Sequence, residues 1–365
     1  MVFAAAASAK KNGITDARAA EGNGTMSAGR IVLACAAWAA AALLAPRAQA
    51  ETNIHFSLDR NIWGPAAPFL LPLDEGYYKA AGLNVAFEPA SSLLEPIKRV
   101  ASGEFDMGFA DINAVIRYKD AEPKAPIKAV FMVYNRPTYV IISRKSRGVT
   151  KPIDLEDKRL GAPADDPAFA AWPIFAHVNN INTAKVTVEN VGAPVREPML
   201  AAGQIDAITG LSYTTFVNLK DRGVPPDDIV ALPMADYGVE LYGSAIIVNT
   251  DFAAKNPDAV KAFLAAFLKG LKETVRSPAA GIAVMLKHND ALRKNLETER
   301  LGMLIENNIL TPEVKANGFG GIDDARFARA LEQIALNFRF KQSKPKPEDF
   351  FDGSYLPPAE DRKVK

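Results

Sequence analysis

The sequence predicts an α/β protein built from two similar lobes. Three observations carry that prediction. Apolar runs with the period of a strand alternate with helical segments along most of the chain. The alternation pauses near residue 140 and then begins again. One phrase is also written twice: "GEFDMGFADIN" starts at Gly103 and "GQIDAITGLSY" starts at Gly203.

The chain has 365 residues, 48% of them apolar, enough for two cores of ordinary size. Its 43 Lys and Arg nearly balance its 42 Asp and Glu, so the basic footprint of a nucleic-acid binder is missing. Residues 1–50 are read as a leader. A start at Met26, a positive Arg30, an apolar run from Ile31 to Leu44 and the ending Ala48-Gln49-Ala50 form a secretory signal peptide. Cleavage is expected before Glu51, and the run is short for a membrane anchor. The single cysteine, Cys35, lies inside that run, where apolar sequence continuing past it argues against a lipoprotein site. The mature chain then has no cysteine for a disulfide, a thiolate metal site or a nucleophile. Losing five basic and two acidic residues with the leader leaves it slightly acidic.

The elements follow in order. "NIHFSLD" (53–59) alternates as a strand, and "NIWGPAAPF" reads as a Gly/Pro loop. "FLLPLDEGYYKAAGL" reads as one helix stopped by Gly82, and "NVAFEP" as a strand. "SSLLEPIKRVASG" is a Ser-capped helix, "FDMGFAD" a strand, "INAVIRYKD" a helix and "IKAVFMVYN" a strand. After "TYVIIS" the pattern restarts with "PIDLEDKRLGAP". A helix follows with Asp166 as N-cap, Pro167 at its first position and a kink or break expected at Pro173. "KVTVENV", "REPMLAAG", "IDAITG" and "YTTFVNLKDRG" alternate strand and helix. "DIVALPMADYG" and "SAIIVNTDF" read as strands. The long helix from Asn256 places Val260, Phe263, Leu264, Phe267, Leu268 and Leu271 on one face, a core stripe. "KQSKPKPEDF" reads as a polar surface segment.

In open α/β sheets, ligands sit beyond the carboxyl ends of strands. The doubled phrase contains that position twice, at "ADIN" and at "GLSY". Any strand–helix joint can end in small polar residues, but two copies in two units point to a cleft between lobes.

"PLDEGYYKAAGLNV", "RVASGEFDMGFAD", "MLAAGQIDAITG" and "YGSAIIVNTDFAAKNPDAVKAFLAAF" resemble the substrate-binding proteins of ABC importers in the NMT1/THI5-like group. That group pools thiamine-pyrimidine binders with nitrate, sulfonate (SsuA-like) and taurine binders. The resemblance runs from about Asn53 to Phe340 and implies a type II periplasmic-binding-protein fold, two α/β lobes joined by two crossover strands. It implies a monomeric periplasmic protein that closes on a small molecule and meets a permease and an ATPase subunit. No nucleic acid and no cofactor are expected. Crossovers are expected near Pro137–Ile142 and Tyr242–Ile247. Lobe I is then 51–140 with 244–365, and lobe II is 141–243. Fold alone does not name the solute.

The resemblance also implies which loops line the cleft. Trp63 offers a flat stacking surface or a cover for the core. In "FADIN", Ala110, Asp111 and Asn113 face the same region, with Asp111 either a ligand contact or a helix cap. Asp165 and Asp166 precede a helix. They would suit an amine or aminopyrimidine edge and repel an anion, unless Asp166 only caps the helix and Asp165 faces solvent. Ser212 and Tyr213 close the second copy of the phrase, and Tyr134, Asn135, Tyr237 and Tyr242 stand near the hinges. A cleft rich in aromatics and carboxylates and poor in arginine is expected, suited to a neutral or cationic planar nitrogenous solute, with a sulfonate, taurine or nitrate as the alternative.

Two further classes share this fold. The group includes a pyrimidine-synthesising branch that uses a Cys-rich motif, a pyridoxal-binding Lys and a sacrificial His. This mature chain lacks cysteine, and His55, His177 and His288 stand without a partner cluster. No phosphate loop, metal-ligand spacing or nucleophile elbow accompanies them. A ligand sensor acting on a membrane receptor would need a separate partner. A non-enzymatic importer component is therefore expected.

Overall fold

The structure is a computed structural model that describes residues 51–341 and 344–364. The expected start at Met26, the signal peptide and Cys35 lie outside the described residues. Among the described residues, no helix is long and apolar enough to cross a membrane.

Ten strands form two five-stranded sheets. They are β1 (Thr52–Ser57), β2 (Leu83–Glu88), β3 (Met107–Asp111), β4 (Ile127–Met132), β5 (Tyr139–Arg144), β6 (Arg159–Ala162), β7 (Thr187–Asn190), β8 (Ala207–Leu211), β9 (Ile229–Pro233) and β10 (Ser244–Asn249). The first sheet has the order β2-β1-β3-β10-β4 and the second β7-β6-β8-β5-β9. The same rule builds both: second, first, third, incoming strand, fourth. In each sheet the incoming strand alone runs antiparallel. β10 opposes β3 and β4, and β5 opposes β8 and β9. The chain passes from sheet to sheet twice, between β4 and β5 and between β9 and β10, so the two lobes share two connections.

The helices used below are α1 (Ala67–Asp74), α2 (Tyr77–Ala80), α3 (Glu95–Ser102), α4 (Ile112–Ala121), α5 (Pro167–Val178), α6 (Ala193–Ala201), α7 (Ser212–Asp221), α8 (Thr250–Lys255), α9 (Pro257–Arg276), α10 (Pro278–His288), α11 (Lys294–Leu304), α12 (Pro312–Asn317), α13 (Asp324–Ala335) and α14 (Pro347–Phe350). The stripe Val260, Phe263, Leu264, Phe267, Leu268 and Leu271 on α9 is buried in the core. Phe263 stacks on Phe56 and on Tyr78, and Phe267 meets Phe69 and Phe131.

Several sequence expectations are corrected. "FLLPLDEGYYKAAGL" is two helices, not one, because Gly76 adopts a left-handed φ of 70° between α1 and α2. α1 begins inside the expected loop, at Ala67. α5 continues through Pro173 without a break. α3 starts at Glu95, and Ser91 is used otherwise: its N–H and hydroxyl both donate to the Glu95 carboxylate. The C-terminal segment is not purely a polar surface. Phe350 and Phe351 are buried, and Phe351 forms a bridge beside Ala129 of β4. Two aromatic side chains outweigh the lysines around them.

The doubled phrase has one structural meaning in both lobes. Gly103 and Gly203 end α3 and the α6 turn with φ of 77° and 73°. Asp106 then accepts the His55 N–H and donates its own N–H to the His55 carbonyl. Asp206 does the same with Arg159. Each Asp therefore ties its loop to the first strand of its sheet, and Phe105 and Ile205 fill the core beside it.

Candidate functional site

The endings of the doubled phrase reach the crossovers. The Ile112 N–H donates to the Gly243 carbonyl, and the Ser212 N–H donates to the Thr138 carbonyl. The side chains reinforce the first of these. Asp111 caps α4, accepting the Asn113 and Ala114 N–H groups, and its other oxygen accepts the Tyr139 hydroxyl at 2.5 Å. Asn113 donates to the Tyr139 hydroxyl and to the Tyr242 carbonyl, so one amide holds both crossover segments. Burial pushes the Asp111 carboxyl above its ordinary range, and burial beside that carboxylate raises Tyr139 as well.

The loop after β1 meets the loop after β8. Trp63, which stands just before α1, packs against Tyr213 of α7 with ring centroids 5.5 Å apart. Arg60 and Arg300 lie over the Trp63 indole, their guanidinium carbons 5.3 and 5.6 Å from its centroid. Asp59 sits beside Arg60, its carboxylate 3.9 Å from the Arg60 Nε. Burial pushes the Asp59 carboxyl up more strongly than Arg60 pulls it down. Burial likewise raises the Tyr134 and Tyr213 hydroxyls, and Asp59 adds to both shifts, so these side chains share one electrostatic neighbourhood. Asp59, Arg60, Trp63, Tyr134, Tyr213 and Arg300 form the candidate site.

Helix starts around this neighbourhood differ in how their positive ends are used. The Gly64 N–H is taken by the buried Glu297 carboxylate at 2.8 Å. A Cβ at Gly64 would come within 2.9 Å of the Glu297 carbonyl, so the close approach requires glycine. Asp111 caps α4 and Asp166 caps α5. The start of α7 has no side-chain cap.

The remaining expected residues fall elsewhere. Ala110 is fully buried in β3 opposite Ala245. Asp165 is exposed. Asp166 is buried and saturated: it caps α5 and accepts from Arg196 at 3.1 Å and from the Thr209 hydroxyl at 2.7 Å. Ser212 opens α7. Tyr237 packs edge-on to Phe175. Tyr242 is buried at the second crossover, its hydroxyl donating to Glu313 and accepting the Asp323 N–H.

The surroundings of Trp63 are not poor in arginine. Arg196 neutralises Asp166, Asp165 faces solvent, and two arginines flank the indole. Asp59 and Arg60 were missed, although their place just after the first strand, where α/β folds put ligands, was a signal for them. Arg300 left no such signal, because α11 folds back onto the Gly64–Ala66 turn and α7 from far along the chain.

The histidines stand outside this group. His55 is exposed with its ring against Phe105, His177 is exposed, and His288 pairs with Asp74. Among the described residues, no cluster of three His, Cys, Asp or Glu could hold a metal ion.

A riboflavin-binding protein, RibY, of Chloroflexus aurantiacus is 24% identical over 214 residues, covering 58% of this chain and 59% of that protein. The 4-amino-5-hydroxymethyl-2-methylpyrimidine phosphate synthase of Schizosaccharomyces pombe is 24% identical over 226 residues, covering 58% of this chain and 64% of that enzyme. The chain thus spans less than two thirds of the length of either relative. The periplasmic aliphatic sulphonate binding protein SsuA from Escherichia coli shares the fold, with a TM-score of 0.62 at 13% identity over 78% of this chain and 86% of that one. Residues 64–281, more than half of the chain, match the family described as NMT1/THI5 like, and with this two-lobed α/β architecture the chain belongs to that family.

Proposed function

We propose that the chain binds a planar nitrogen heterocycle between its lobes, as the exported solute-binding component of an ABC importer. The Trp63–Tyr213 pair carries this reading. It joins one aromatic ring from each lobe at the carboxyl ends of the first and third strands of the two sheets, where an α/β fold places a ligand. The indole and phenol, packed on each other here, are flat surfaces on which a heterocycle can stack when the lobes part. Asp59 can accept from ring amino or imino hydrogens. A flavin and an aminopyrimidine, named in the two relatives, are both heterocycles of this kind. The arginines over Trp63 argue against a cation.

Binding is favoured over catalysis. Residues 51–365 contain no cysteine, and His55 and His288 are engaged with Phe105 and Asp74. A monomer delivering its solute to a permease and ATPase follows from the same reading.

Thermal-shift and calorimetric titrations with riboflavin, 4-amino-5-hydroxymethyl-2-methylpyrimidine, taurine and nitrate test it. A heterocycle should raise the melting temperature by mass action. Trp63→Ala should weaken its binding by about tenfold or more. Stabilisation by taurine or nitrate alone would overturn the heterocycle, and steady conversion of either heterocycle into product would overturn the binder.

A further inference from the structure

Arg60 and Arg300 hold donors that nothing in the protein satisfies. The Arg60 Nε is enclosed and has no hydrogen-bond partner, and the nearest carboxylate oxygen, on Asp59, is 3.9 Å away. Arg300 spends its two terminal nitrogens on Glu297 and on Asn218, the latter at 2.8 Å. Its Nε is also enclosed and unpaired. Arg117 and Arg147 also carry enclosed Nε atoms without a hydrogen-bond partner, elsewhere in the fold. Those of Arg60 and Arg300 belong to guanidinium groups lying over one indole.

The surrounding charges leave room for an anion. Glu297 is fully engaged, one oxygen on the Gly64 N–H and the other on Arg300. It offsets Arg300 and leaves Arg60 to Asp59. The Asp59 carboxylate, 3.9 Å from the Arg60 Nε, does not satisfy that donor. From the other lobe comes the start of α7, without a side-chain cap.

We propose that the bound heterocycle carries an oxyanionic group, of phosphate, sulfonate or carboxylate type, received by Arg60 and Arg300 beside Trp63. This rests on the heterocycle reading and narrows it. The ring would stack on the aromatic pair while the oxyanion accepts from the two Nε–H groups. Such charge-assisted bonds are the strong ones.

The test titrates the purified protein with 4-amino-5-hydroxymethyl-2-methylpyrimidine and its phosphate, and with riboflavin and its 5′-phosphate. The phosphorylated member of at least one pair should bind about tenfold tighter or better, with the ratio shrinking at high salt. Arg60→Gln and Arg300→Gln should each reduce that ratio. Arg60→Lys, which keeps the charge but removes the Nε–H, gives the same readout if Arg60→Gln does not fold. Equal affinities within both pairs, or a ratio unchanged in these variants, would overturn the oxyanion while leaving the heterocycle standing. Failure of all four to bind would overturn both.

Discussion

The guanidinium of Arg326 lies 3.9 Å from the centre of the Tyr242 ring. From α13 it donates to the Asn135 carbonyl and side chain before the first crossover, and to the Glu240 and Leu241 carbonyls before the second. It also pairs with Glu313 at 2.8 Å. One planar fork thus braces both connections between the lobes. Arg326→Ala, which strands Glu313 and several carbonyls, is expected to cost about 3 kcal/mol in urea unfolding. Arg326→Lys keeps the charge but not the fork and should cost about 1–2 kcal/mol. A loss within error for Arg326→Ala would remove the bracing role.

Asp59 makes a pH prediction. Its folded pKa is raised above 3.8 by burial, so the folded state holds this proton more tightly than the unfolded state. Its contribution to stability is fully present below 3.8 and is lost as pH rises through the folded pKa. Asp59→Asn removes that ionisation. The variant should therefore be more stable than the parent at pH 7, with the advantage shrinking as pH falls toward 4. Melting temperatures across that range decide it, and an advantage that grows on acidification would contradict the sign.

The two glycines of the doubled phrase should not respond alike. Gly103→Ala places a Cβ in a left-handed position with its nearest neighbour, the Asn249 side-chain nitrogen, 3.7 Å away. A loss of about 1 kcal/mol is expected. Gly203→Ala brings its Cβ within 3.0 Å of the Arg147 guanidinium, which donates to the Gly203 carbonyl. It should cost about 2 kcal/mol, since a hydrogen bond is disturbed as well. Paired unfolding curves would show the order, and equal losses would mean Arg147 yields freely.

α11 reaches across to α7. Arg293 grips Asp221 with two nitrogens at 2.8 and 2.5 Å, Lys220 meets Glu299, and Arg300 holds Asn218. The Arg293–Asp221 pair is exposed and the Lys220–Glu299 pair half-buried, so neither adds much to global stability. Removing Arg293 and Glu299 together should leave the unfolding midpoint nearly unchanged but speed ligand release, as measured by stopped flow. Unchanged release would show that these contacts do not hold the lobes together.

The strand–helix alternation, the two lobes and the core stripe of α9 were legible in the sequence because each rests on local period and spacing. So was the loop bearing Trp63. Gly76 was misread, since a glycine inside an apolar helical pattern does not announce its φ.

Side-chain partnerships were beyond the sequence. Asp111 and Asp166 looked alike there, each a small acid before a helix. Tertiary contacts gave one to Tyr139, at the start of β5 in the other sheet, and the other to Arg196 and Thr209. Arg300 entered the site only because α11 packs back across both lobes. The sequence alone determined the repeated βα frame, because hydrophobic period is a local property. The tertiary structure alone decided which charged side chains meet around Trp63, because charges act through space and not along the chain.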